Sequence, residues 1–210
     1  MAALLRKPPS CDIARALQDE LGLAHAPPAV PLPAESSGVP ADSLLPPRER
    51  FGGAPAPTHC YVYVDAPAPR PFELRASIMS TTDADDPAGP VDPVLDGRSL
   101  GDLVYAVPLL SPVAARCALS APQGPERGGR SVFEGDPAIT GRLNADPSLL
   151  DRAHALAAVK EHPERLLAVD PMPHASVLLV RTRRHTSLRG WSLGADHVLD
   201  LAERIEAALQ

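Results

Sequence analysis

Aromatic residues are scarce in this chain: one Trp, three Tyr and three Phe in 210 residues. A core must then be built from Leu, Val, Ala and Ile, and the stacking platforms that single strands of nucleic acid need are not interleaved with its charges. Lysine is nearly missing too, present only as Lys7 and Lys160, so 18 of the 20 basic residues are Arg. With abundant Ala and Pro, this bias points to a GC-rich bacterial genome. Acids outnumber bases, and a net charge of −6 removes any global attraction for phosphate backbones or anionic membranes. Nucleic acid is therefore not an expected partner.

Cysteine is limited to Cys11, Cys60 and Cys117. The number is odd and there is no C-x-x-C, which excludes a disulfide framework and a zinc module and leaves three reduced thiols in a cytoplasmic protein as the expectation. No apolar run approaches the roughly 20 residues of a membrane helix, so membrane insertion is not expected. Arg6 and Lys7 follow Leu4-Leu5 and lead straight into Pro8-Pro9, which argues against a secretory signal. Neither a P-loop nor G-x-G-x-x-G occurs, so no nucleotide cradle and no cofactor is expected.

Proline is what the chain has in excess, 26 residues against a usual roughly 5%. Nine of them fall in 24–57, which reads as a semi-rigid linker between an N-terminal segment, 1–23, and a body, 58–210. Within the first segment, 10–22 reads as a helix with Ser10 as its cap and Gly22 as its stop. Ile13, Leu17 and Leu21 recur every four residues and make a narrow apolar stripe. A helix of about 12 residues is marginal alone in water, so the stripe must be buried somewhere. Candidates are a partner's groove, a second copy of the body, or its own domain, since long linkers cost little in closure entropy.

In the body, His59–Asp65 and Phe72–Met79 read as a hairpin, followed by an acidic loop over 80–98. Leu103–Val107 and Val113–Leu119 read as a second strand pair across Pro108–Pro112, with a loop over 120–130 behind them. Asp136-Pro137 and Asp146-Pro147 each place an N-cap acid before an N1 proline, predicting helices at 137–143 and 147–160. Leu166–Val169 and Ser176–Arg183 read as a hairpin, and Leu188–Trp191 as a further strand. Asp196 is the expected cap of a last helix whose Val198, Leu201, Ala202, Ile205 and Leu209 fall on one side. Regular βαβ alternation is lacking. The expected class is α+β: a mainly antiparallel sheet with helices packed on one side, preceded by a separate N-terminal helix and the Pro-rich linker.

Two patterns bear on chemistry. Gly190-Trp191-Ser192-Leu193-Gly194 matches the G-x-S-x-G nucleophile elbow and stands between strand-like and helix-like runs, which makes Ser192 the one catalytic candidate. In that fold the base and acid follow the serine, however, and only 16 residues follow Gly194. Gly97-Arg98-Ser99-Leu100-Gly101 fits the same pattern after an Asp/Pro-rich loop, which shows how loose it is. The second pattern is basic: Arg181, Arg183, Arg184, His185 and Arg189, with 181, 183 and 185 on one face of a strand. Such an arginine-rich strand edge suits a phosphate or a carboxylate, or pairs with the chain's own acids.

Metal ligation is poorly supported. Asp83, Asp85 and Asp86 suggest a calcium loop, but Val94 stands where the closing Glu belongs and Ala88 where the Gly belongs. Asp151 and His154 form no H-E-x-x-H. The expectation is a non-enzymatic bacterial interaction or adaptor protein of the cytoplasm. It meets a protein partner, or a copy of itself, through Ile13, Leu17 and Leu21 and through Arg181, Arg183, Arg184 and Arg189. A serine hydrolase using Ser192 and a small anion-binding domain are the alternatives.

Overall fold

A computed structural model of the chain describes residues 9–31, 58–64, 70–80, 99–120, 131–157, 166–185 and 193–210. These form an α+β fold. Eight antiparallel strands make one sheet: β1 (Ala29–Pro31), β2 (Thr58–Val64), β3 (Phe72–Ser80), β4 (Ser99–Leu109), β5 (Cys117–Leu119), β6 (Phe133–Glu134), β7 (Leu166–Pro171) and β8 (Ser176–His185). Their spatial order is β1-β2-β3-β4-β8-β7-β5-β6. The four helices are α1 (Pro9–Leu21), α2 (Pro137–Ala145), α3 (Pro147–Ala157) and α4 (Ala195–Leu209).

The expected hairpins are present. β2 pairs with β3 from Thr58↔Ile78 to Val64↔Phe72, and β7 with β8 from Leu166↔Arg181 to Pro171↔Ser176. Met172 N–H donates to Ala175 O in the second turn. The other expected pair is corrected. β4 runs through Pro108 to Leu109 and pairs with β3 and β8, whereas β5 pairs with β6 and β7. Proline is tolerated there because Pro108 lies past the end of the β3 pairing and faces only Val177 of β8. Most of the expected 80–98 loop, and Leu188–Trp191, lie outside the described residues.

Alternation along the strands sends Val62, Phe72, Leu74, Leu103, Tyr105, Val107, Leu178 and Val180 to one face, where the helices pack and the core forms. Phe72 and Tyr105 meet there at 6.0 Å between ring centres, tilted by 43°. Each fully buried aliphatic side chain contributes about 1.5–3 kcal/mol, and this core has many of them in place of aromatics. The opposite face carries Glu73, Arg75, Val104, Ala106, Leu179 and Arg181, of which Arg75, Val104, Ala106 and Leu179 are also buried.

The helices follow their sequence signals except at two ends. Asp136 caps α2 by accepting from Ala138 N–H at 3.0 Å. Asp146 caps α3, accepting from the Ser148 amide and hydroxyl and from Leu149 N–H. α1 begins at Pro9, so Ser10 lies inside its first turn. It ends as expected at Gly22, whose φ of 63° is left-handed and lets Leu23 N–H reach back to Gln18 O at 2.9 Å. α4 is not capped by Asp196. Gly194 is its N-cap residue with φ 74°, and Asp196 points outward in the first turn.

α1 is separate in sequence but joined in space. Ile13 and Leu17 are fully buried in the same core as the sheet, Leu21 packs against it, and the helix rests on β1, β2 and α4. Of the places open to the stripe, its own body is the one it occupies.

Candidate functional site

Two regions gather the sequence-derived candidates. The first is the arginine end of β8. β8 lies between β4 and β7, so it is an interior strand and the expected edge is corrected. β7 ends opposite Arg181, and residues 182–185 continue in register with β4 alone among the described residues. The register sets Arg183 across from Asp102 and Arg184 across from Gly101. Arg181 is opposite Val104, and Val104 is opposite Arg75 on the other side, so two arginines flank one valine in a single row. Arg75 is 5% exposed and reaches Glu73 Oε2 at 3.4 Å, and burial lowers its pKa. Arg189 lies outside the described residues.

The second region is the start of α4, next to Ser192, which is itself outside the described residues. Glu20 of α1 accepts from Leu193 N–H at 2.8 Å and from Ala195 N–H at 2.5 Å. Tyr105 donates its hydroxyl to Leu193 O at 2.9 Å. A carboxylate here meets two free amides and the positive end of a helix dipole, which together make a good anion site. The site is filled by the chain's own Glu20. In a nucleophile elbow, the amide after the serine stabilises the oxyanion. Here that amide belongs to Leu193 and is spent on a carboxylate, whose negative charge opposes an oxyanion at the same place. The other G-x-S-x-G match puts Ser99 at the first position of a β-strand rather than at a strand-to-helix turn.

Sequence reading did not find these polar anchors. Glu206, 6% exposed on α4, accepts from Leu110 N–H at 2.9 Å and from the amide and hydroxyl of Ser111 at 2.7 and 2.6 Å. Ser176 donates its hydroxyl to Ser111 O. Asn144 binds both the N–H and the C=O of Phe133 and ties β6 to α2. On a helical wheel Glu20 and Glu206 look like ordinary solvated acids. Their partners lie 95 to 175 residues away, and no local pattern marks them.

Among the described residues no three His, Cys, Asp or Glu side chains are grouped to hold a metal, and no helix is long and apolar enough to cross a membrane. Asp83, Asp85 and Asp86 lie outside the described residues. Cys117 is a free, buried thiol whose pKa is raised, mainly by desolvation, which makes it a poor nucleophile. Neither family models, nor curated proteins, nor solved structures provide a match to this chain.

Proposed function

We propose that this chain is a non-enzymatic interaction protein, an adaptor of the bacterial cytoplasm, acting by surface contact and not by covalent chemistry. The observation that carries the reading is the pairing of Glu20 with the Leu193 and Ala195 amides. It sets a carboxylate on the Leu193 amide and supports a helix-recognition reading, in which an amphipathic helix is held by apolar anchors and a carboxylate. A second contact is the end of β8, where Arg183 and Arg184 continue beyond the β7 pairing.

The test compares the full chain with a full-length Arg183→Ala/Arg184→Ala variant as baits in extract of the source organism. A protein retained by the first and lost by the second supports the reading. Identical capture removes the β8 end from it. The anion-binding alternative draws on the Arg75–Val104–Arg181 row. It predicts a thermal shift with phosphate or citrate that Arg181→Ala abolishes, and no shift with either anion rejects it. For the hydrolase alternative, a fluorophosphonate probe must label wild type and spare Ser192→Ala.

A further inference from the structure

The sheet ends in two outer strands, β1 and β6. An outer strand offers its unpaired amides and carbonyls to any strand that meets it. β1 closes with Pro31, which has no N–H to give. β6 has no proline.

Backbone groups in an antiparallel pair point alternately toward the partner and away from it. Val132 O accepts from Ser120 N–H at 2.8 Å, and Val132 N–H donates to Ser120 Oγ at 3.4 Å, so residue 132 is turned toward β5. Phe133 is therefore turned outward. Its flanks leave it alone there: Ser131 is buried, and Gly135, with φ 139°, follows directly after the strand. The N–H and C=O of Phe133 are the one pair of groups that a further strand would take.

Asn144 takes both. Its Oδ1 accepts from Phe133 N–H at 2.8 Å, and its Nδ2 donates to Phe133 O at 2.9 Å. A carboxamide carries an acceptor and a donor side by side, and here it gives Phe133 what a ladder residue of a neighbouring strand would give. Asn144 stands in the last turn of α2, so the two bonds also hold that turn against the place of an added strand.

We propose that Asn144 is an edge stop. It completes the β6 ladder from within the chain and keeps β6 of a second copy from pairing there. The excluded pairing is antiparallel and two-fold, centred on Phe133, with each Phe133 exchanging both hydrogen bonds with the other. That register sets Val132 of each copy across from Glu134 of the other, so no like charges would oppose it. The role goes beyond the interaction reading and does not depend on it.

The test follows the full chain by sedimentation across a dilution series and by hydrogen exchange at Phe133. In Asn144→Ala the Phe133 amide should exchange on the order of tenfold faster than wild type when dilute. On concentration its protection should return as the average mass rises toward twice the wild-type value. Val62→Ala, in β2 at the far side of the sheet, lowers stability without touching β6 and should keep the wild-type mass. Should Asn144→Ala fail to fold by circular dichroism, Asn144→Asp, which keeps the acceptor and loses the donor, takes its place with a smaller rise. An Asn144 variant with the wild-type mass at every concentration overturns the proposal. Equal association of Val62→Ala also overturns it, because partial unfolding would then be the cause.

Discussion

Replacing Glu206 tests whether a single buried carboxylate organises the β4–β5 turn. Its two oxygens accept three hydrogen bonds, from Leu110 N–H, Ser111 N–H and Ser111 Oγ–H. A hydrogen bond to a charged group is worth about 1.5–3 kcal/mol, so the gross figure is several kcal/mol. Two corrections reduce it. Leu110 is 83% exposed, so water can reach that turn once the carboxylate is gone. Removing Glu206 also removes the cost of burying its charge. Arg70 Nη1 is 3.9 Å from Glu206, at the limit of an ion pair, and also reaches the Pro108 carbonyl, so it changes the sum little. The expected net loss for Glu206→Ala is about 3 kcal/mol. In a domain of this size that is a fall in Tm of about 6–12 °C. Glu206→Gln keeps one acceptor oxygen and turns an NH2 group toward a donor, so it should lose about half as much. Thermal and urea unfolding followed by circular dichroism measure both variants. A Glu206→Ala protein within about 0.5 kcal/mol of wild type would refute the reasoning, because surface changes have that size.

Three further outcomes are expected. Gly135 has φ 139° and packs on Arg116, where an added Cβ would enter the shell of the Arg116 carbonyl oxygen. Gly135→Ala should therefore cost about 2 kcal/mol or more in urea unfolding, and a neutral result would contradict the backbone placement. Cys117 should resist iodoacetamide at pH 8 until the protein unfolds. Burial raises its pKa chiefly through desolvation, and the Asp136 charge adds to this against an Asp136 backbone hydrogen bond. Rapid alkylation of its tryptic peptide under native conditions would disprove this. Asp146 has its pKa lowered first by the Ser148 hydroxyl and then by the Leu149 amide. A carboxylate depressed in the folded state stabilises above its unfolded value of about 3.9, and that contribution is lost as pH falls through the folded value. Asp146→Asn should therefore flatten the acid limb of stability against pH below about pH 4, and an unchanged slope would dissociate the cap from acid unfolding.

Legibility of the fold varied with how local its causes are. α2 and α3 were readable because Asp136-Pro137 and Asp146-Pro147 hold cap and first turn within three residues. The β2–β3 and β7–β8 hairpins were readable for the same reason, as their partners are neighbours in sequence. β5 misled because proximity to β4 suggested a pair, whereas its true neighbours, β6 and β7, come later in the chain. β4 and β8 each carry an unbroken apolar run, Leu103–Val107 and Val177–Val180. Such runs fit strands buried on both sides and leave position in the sheet undetermined. β8 read as an edge because of Arg181, Arg183 and Arg184, although it lies inside the sheet. β1 was hidden in a stretch whose prolines argue for linker, yet three residues with one outward-facing edge tolerate Pro31.

The candidate site divides in the same way. The stripe of Ile13, Leu17 and Leu21 is a property of helical periodicity, and the sequence alone required that it be buried. The arginines of β8 and the lack of stacking aromatics are likewise plain in composition and spacing. Only the tertiary structure decided that the stripe is covered by its own body, that Glu20 rather than Asp196 completes the start of α4, and that the Leu193 amide faces a carboxylate. The physical reason is range. Periodicity and capping are set within about one helical turn, whereas a buried carboxylate is stable wherever the folded chain brings two amides to it.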